Sequence, residues 1–178
     1  MARLPELNRR ELLPPDAQPV FDEIMASRGR ITPTFAVMLH SPQVAQRAAH
    51  LGTYMRFESS LDAPARELAA LAAAHLCKCA YEWTAHQAPA REHGVSEAAI
   101  AALGSDGPLS GLAEAEALII RFARGILIEH TVDPATFAAA RLRFGDRGVV
   151  DLTATLGYYS MIACILNATG VEAAPRPA

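Results

Sequence analysis

The stretch "RELAALAAAHLCKCAYEWTAHQA", residues 66–88, decides the fold: it holds neither glycine nor proline, and alanine and leucine recur through it in a helical rhythm. An ideal helix advances about 100° per residue, so with Glu67 at zero, Glu82 falls near about 60°, His75 about 80°, His86 about 100° and Cys79 about 120°. Two carboxylates, two imidazoles and a thiol would share one face. Cys77 falls at about 280°, so a disulfide with Cys79 would need the helix to break near Leu76. Should it break, Cys79, Glu82 and His86 still keep helical spacing on one face.

A carboxylate and a histidine four residues apart can share a proton, and in an apolar pocket the carboxylate's pKa would rise toward neutrality. Glu67 could orient the imidazole or exchange protons with Cys79, whose thiol is a nucleophile only when ionised. The stripe from His75 to His86 spans about 16 Å at the helical rise, too far for its four polar side chains to meet one ion, so no metal is expected. Cys77 and Cys164 read as small core residues and His75 as a packing residue. For Trp83, Tyr81, Tyr158 and Tyr159 packing is the simpler reading. Tyr81 and Trp83 are nevertheless the candidates for contact with a substrate, Tyr81 through a hydrogen bond. His40, His50, His93 and His130 are expected at the surface or at helix ends.

Outward from this segment, no run alternates apolar and polar residues long enough for a strand, so the expected class is all-α. "AQPVFDEIMASRG" reads as a first helix ending at Gly29 and "TPTFAVMLHSPQ" as a second, broken before Pro42. Ser41 heads a third, to about Phe57, and Asp62 caps the segment that carries the opening motif. Ser96 caps a short helix to Leu103, and "GSDGPLSG" is the most loop-like stretch. "AEAEALIIRFARGILIEH" and "DPATFAAARLRFG" follow as two helices, the second with Asp133 as cap, Pro134 at its first position and Gly145 as terminator. The last helix, from about Arg147 to Ala168, is apolar nearly all round, which suits the core or a subunit interface. Residues 1–15 form a proline-bearing leader that lies on the surface or reaches a neighbouring subunit. Residues 16–170 form one domain, and 171–178 a tail.

With 178 residues, 51% of them hydrophobic and 20% charged, the chain is long and apolar enough for one well-buried core. A net charge of −3 offers no footprint for nucleic acid or an anionic membrane surface. No secretory signal heads the chain, no later stretch is expected to span a bilayer, and a cytoplasmic location is the default. Three cysteines without the spacing of a disulfide framework are expected to stay reduced.

The run "RELAALAAAHLCKCAYEWTAHQAPAREHGVSEAAIAAL", together with the ending "FGDRGVVDLTATLGYYSMIACILNATG", resembles the carboxymuconolactone decarboxylase and alkylhydroperoxidase-D-like superfamily across about residues 20–170. The resemblance implies an all-helical homo-oligomer, a trimer or hexamer, with this segment at the heart of each subunit. In the peroxidase branch a glutamate precedes C-x-x-C and a histidine. Glu67, Cys79 and His86 occupy matching positions, but Glu82 stands where the second cysteine is expected. In the decarboxylase branch the stretch reads H-E-x-x-x-H. Glu82 and His86 match it, and Tyr81 replaces its first histidine.

The leading expectation is therefore a cofactor-independent enzyme acting on a small carboxylated or lactone substrate by proton transfer. His86 and Glu82 would form the acid–base pair, Glu67 would orient, and Cys79 would line the pocket. A thiol peroxidase using Cys79 is the alternative, and a helical oligomer that binds a ligand without turnover is a third.

Overall fold

A computed structural model describes residues 2–173 as eight α-helices with no strand among them, in agreement with the all-α expectation. The helices are α1 (Gln18–Arg28), α2 (Pro33–Met38), α3 (Pro42–Phe57), α4 (Ala63–Leu76), α5 (Ala80–Glu92), α6 (Glu97–Gly104), α7 (Glu114–Arg124) and α8 (Pro134–Thr169). Met1 of the leader and positions 174–178 of the tail lie outside the described residues.

Local chemistry sets most boundaries. Asp62, Ser96 and Asp133 each accept a backbone N–H of the first turn behind them, and Gly29 closes α1 in the left-handed conformation at φ 72°. Ser41 heads α3 without a side-chain hydrogen bond. Gly145 takes φ 69° and ψ 177° within α8, so the expected terminator is a kink, and the two predicted helices continue one another across it. The helix expected over residues 113–130 changes character at Gly125, where α7 gives way to a π-helical turn, Gly125–Glu129.

The largest departure lies in the opening segment, which is two helices rather than one. At the end of α4 the N–H of Cys79 donates to Ala74 O (2.8 Å) and that of Lys78 to His75 O (2.9 Å), the paired bonds of a Schellman ending. Lys78 holds the left-handed position, φ 53°, where glycine is usual. The following helix folds back, and α5 becomes the most extensive packing partner of α4, ahead of α8 and α7. From α8, Asn167 Nδ2 donates to Cys77 O (2.8 Å) and pins the reversal. α5 then runs through Pro89 to Glu92.

α4 is the central helix, with every residue from Leu68 to Ala74 buried. One apolar cluster joins it to α6, α7 and the first half of α8, and a second joins α1, α2, α3 and the end of α8. Tyr159 touches both clusters. The leader lies across its own chain: Leu13 is buried, Leu7 N donates to Ala36 O (3.0 Å), and Arg3 N donates to Thr169 O (2.6 Å).

Contrary to the sequence expectation, α8 is long and apolar enough, by length and composition, to cross a bilayer. Half of that stretch is buried inside the fold, which is the packing of a core helix. Its outer face leaves Val150, Met161 and Cys164 exposed, so Cys164 is not the core residue expected, while Cys77 is half-buried.

Asp151 of α8 is 4% exposed and accepts three hydrogen bonds, from Ser60 N and Ser60 Oγ (both 2.7 Å) and Tyr54 Oη (3.0 Å). It ties the α3–α4 connection to the core. Asp151→Ala removes the buried acceptor of all three bonds, and is expected to cost about 2–4 kcal/mol in urea unfolding, with Asp151→Asn costing less.

Candidate active site

The chain reversal at residues 77–79 brings α5 alongside α4, so that His86 meets Glu67 across the helix pair rather than along one face. His86 Nδ1–H donates to Glu67 Oε2 (2.8 Å), and its Nε2 lies 3.3 Å from Glu82 Oε2, one turn earlier on α5. From α2, Thr34 Oγ1 donates to Glu82 Oε1 (3.2 Å). The result is a continuous chain of polar groups, Glu67, His86, Glu82 and Thr34, at the junction of the two apolar clusters. Glu82 and His86 are 5% and 7% exposed.

Burial alone would favour a neutral imidazole. The hydrogen bonds and charges of Glu67 and Glu82 outweigh it, and the His86 pKa rises to about 9. Burial pushes Glu67 up, but its bond to the imidazolium and the attraction of that cation prevail, and its carboxyl titrates below the usual range. At neutral pH His86 is an imidazolium, hydrogen-bonded through Nδ1 to Glu67 and ion-paired through Nε2 with Glu82.

Thr34, Glu82 and His86 form one wall of a cavity of about 210 Å³. Glu82, His86 and Tyr81 line it, with Thr34 and Phe35 from α2, Gly52 and Arg56 from α3, and Tyr158, Tyr159 and Ile162 from α8. The Tyr159 ring packs edge-on against His86 (centroids 4.7 Å apart) and Tyr158 stands edge-on to Tyr159 (5.2 Å). Burial pushes the phenols of Tyr81, Tyr158 and Tyr159 up, so all three remain neutral donors.

The remaining candidates divide. Glu67 sits behind His86 and does not line the cavity. Cys79 does not line it either. Its thiol, 1% exposed at the head of α5, packs in the second apolar cluster, and burial pushes its pKa up against a partial offset from backbone N–H groups of Glu82 and Tyr81. Cys77, Cys79 and Cys164 are all free thiols. Trp83 points away from the cavity, against His75 (ring centroids 5.5 Å apart) and beside Gly104. His75, expected on the shared face, lies in the last turn of α4 and pairs with Asp106 at 2.9 Å. Of the other histidines, His40 bonds Pro5 O, His50 pairs with Glu23, and His93 and His130 end helical turns. Among the described residues no three His, Cys, Asp or Glu side chains group as metal ligands do.

Arg28, Thr34, Phe35, Gly52 and Arg56 were not legible as site residues. They come from helices preceding the motif and carry no spacing signal of their own. Tyr158 and Tyr159 read as packing residues, and both also line the cavity.

Residues 42–124 match the carboxymuconolactone decarboxylase family, a span that contains α3 through α7 with Glu67, Cys79, Glu82 and His86. A comparison with curated proteins gave no match. Among solved structures, the fold is similar to a peroxidase-related protein with an alkylhydroperoxidase AhpD core from Ralstonia eutropha, at TM-score 0.78 and 20% identity, covering 97% of this chain and 92% of that one. An AhpD-type protein of unknown function from Agrobacterium tumefaciens gives TM-score 0.68 at 19% identity, covering 78% and 96%. The debrominase Bmp8 gives 0.72 at 14% identity, covering 95% and 90%.

Proposed function

We propose that this chain, whose residues 42–124 match the carboxymuconolactone decarboxylase family and whose fold is similar to that of AhpD-type proteins, is a cytoplasmic, cofactor-independent enzyme that works by acid–base, lyase-type chemistry on a small carboxylated or lactone substrate. The observation that carries this reading is the buried His86, protonated between two carboxylates, with Glu82 facing the cavity and Glu67 behind. Loss of carbon dioxide, or proton shift next to a carbonyl, leaves an electron pair on carbon or an enolate oxygen. A fixed imidazolium stabilises that charge, and a proton then returns to carbon from the Glu82–His86 pair. Glu67 holds the imidazole in position and keeps it charged.

The peroxidase-related neighbour favours a second reading, in which Cys79 attacks a hydroperoxide. That chemistry needs an accessible thiolate and a resolving thiol. Here the thiol is buried with a raised pKa, and Glu82 stands at the partner position. Stoichiometric peroxide followed by mass spectrometry is expected to oxidise the exposed Cys164 before Cys79, and Cys79→Ala is expected to keep the turnover of any acid or lactone found by screening for released carbon dioxide. Selective sulfenate at Cys79, or turnover lost with its thiol, would reverse the choice between the two. Self-association as a trimer or hexamer belongs to the same proposal. The exposed apolar residues of α8 support it, and light scattering on the purified chain tests it.

A further inference from the structure

The arginines that form ion pairs with side-chain carboxylates, Arg10, Arg91, Arg121, Arg141 and Arg147, are between 39% and 65% exposed and lie on the outer surface. The three that line the cavity, Arg28, Arg30 and Arg56, form no such pair among the described residues. Arg28 is the most enclosed of them. Its Nη2 donates to Ala49 O (3.1 Å), its guanidinium lies over the Phe35 ring at 4.4 Å, and its Nε is buried with no hydrogen-bond partner. A carbonyl and an aromatic face orient a cation without neutralising it. Burial lowers the pKa of this guanidinium, the Tyr158 phenol partly restores it and the like charge of Arg56 lowers it again, and at the cavity neither cation pairs with a carboxylate among the described residues.

The fold makes room for this group. A Cβ on Gly52 would stand 2.7 Å from Arg28 Nη2 and 2.4 Å from Tyr158 Oη, so glycine alone lets both polar ends reach the cavity. The acidic groups are spent elsewhere: Glu67 and Glu82 are engaged by His86 and Thr34 rather than by these arginines.

We infer that Arg28, seconded by Arg56, is the recognition group for the carboxylate of a small organic anion, so that the cavity selects charged acids over neutral lactones and amides. This rests on the acid–base reading above for what happens after binding, but the recognition itself stands apart from turnover. A guanidinium offers a carboxylate two parallel N–H donors, and at a partly desolvated site such charge-assisted bonds discriminate strongly against an uncharged isostere.

Calorimetric titration of the full chain with crotonate, its amide crotonamide, and inorganic phosphate tests this, since the acid and amide match in shape and suit a cavity of about 210 Å³. Crotonate is expected to bind about tenfold or more tightly than crotonamide, and more tightly than phosphate. Arg28→Gln should erase the preference, and Arg56→Gln, at an exposed position, should reduce it severalfold. On the wild-type chain, added salt should weaken crotonate and leave crotonamide unchanged. Absent crotonate binding, equal affinity for acid and amide, tighter phosphate binding, or indifference to salt would each overturn the inference, as would a preference surviving in folded Arg28→Gln. Glu82→Gln separates the two proposals: crotonate preference retained with turnover also retained removes the acid–base reading and leaves the recognition role intact.

Discussion

Replacing His86 with alanine is expected to lower turnover by about 10²–10⁴ and stability by about 3–5 kcal/mol. Both losses have one origin. The imidazolium is the only cation between two enclosed carboxylates, and its removal leaves Glu67 and Glu82 desolvated with nothing opposite them. Unfolding by urea across pH provides an independent check. In the unfolded chain the histidine titrates near 6.5 and in the folded chain at about 9, so its stabilisation is fully present below about 6.5 and fades as pH rises to about 9. That shift corresponds to roughly 3 kcal/mol. Glu67 titrates below its ordinary 4.5 when folded, so its share is present above that value and fades as pH falls through the folded one. Stability should therefore peak between about pH 5 and 6.5, and His86→Ala should abolish the alkaline decline. An alkaline decline that persists in the variant would mean that the imidazole is not the group responsible.

Glu82→Gln should separate chemistry from folding. The amide keeps an oxygen for the imidazolium and a polar end for Thr34, so the expected stability loss is only about 1–2 kcal/mol. Turnover, which needs a group able to take and return a proton, should fall by about 10²–10⁴. Losing one of its two carboxylates should also bring the His86 pKa below the wild-type value of about 9, a change that nuclear magnetic resonance titration of the ring reads directly. Unchanged turnover would remove Glu82 from the mechanism.

Much of this arrangement could be read from residue types and spacing. Capping by Asp62, Ser96 and Asp133, the stop at Gly29 and the interruption at Gly145 are local chemistry, and local chemistry is visible in a sequence. The pairing of His86 with Glu67 and Glu82 also followed, but partly for a mistaken reason. A single helix would place Glu67 and His86 on one face nearly thirty ångströms apart, at about 1.5 Å of rise per residue, and it is the reversal that brings them into contact. Nothing in "HLCKCAY" announces that reversal: Lys78 takes a conformation that favours glycine, held by Asn167 from a helix ninety positions later. The same long-range packing carries Cys79 into the apolar interior and Trp83 to the outer side, and it draws in Arg28 and Thr34, whose local sequence marks only helix ends.

The proton-handling groups and the enclosing walls come from different stretches of chain. Glu67, Glu82 and His86 ride on a single helical hairpin, whereas Arg28 and Thr34 precede it by thirty residues or more and Tyr158 and Tyr159 follow some seventy later. Under the proposed function, reactivity and choice of molecule are thereby uncoupled in the gene. A chimaera that exchanged α1 and α2 for those of a structural neighbour would alter what is admitted while leaving the reactive hairpin whole, a route by which one scaffold can be retuned to new metabolites in a single recombination.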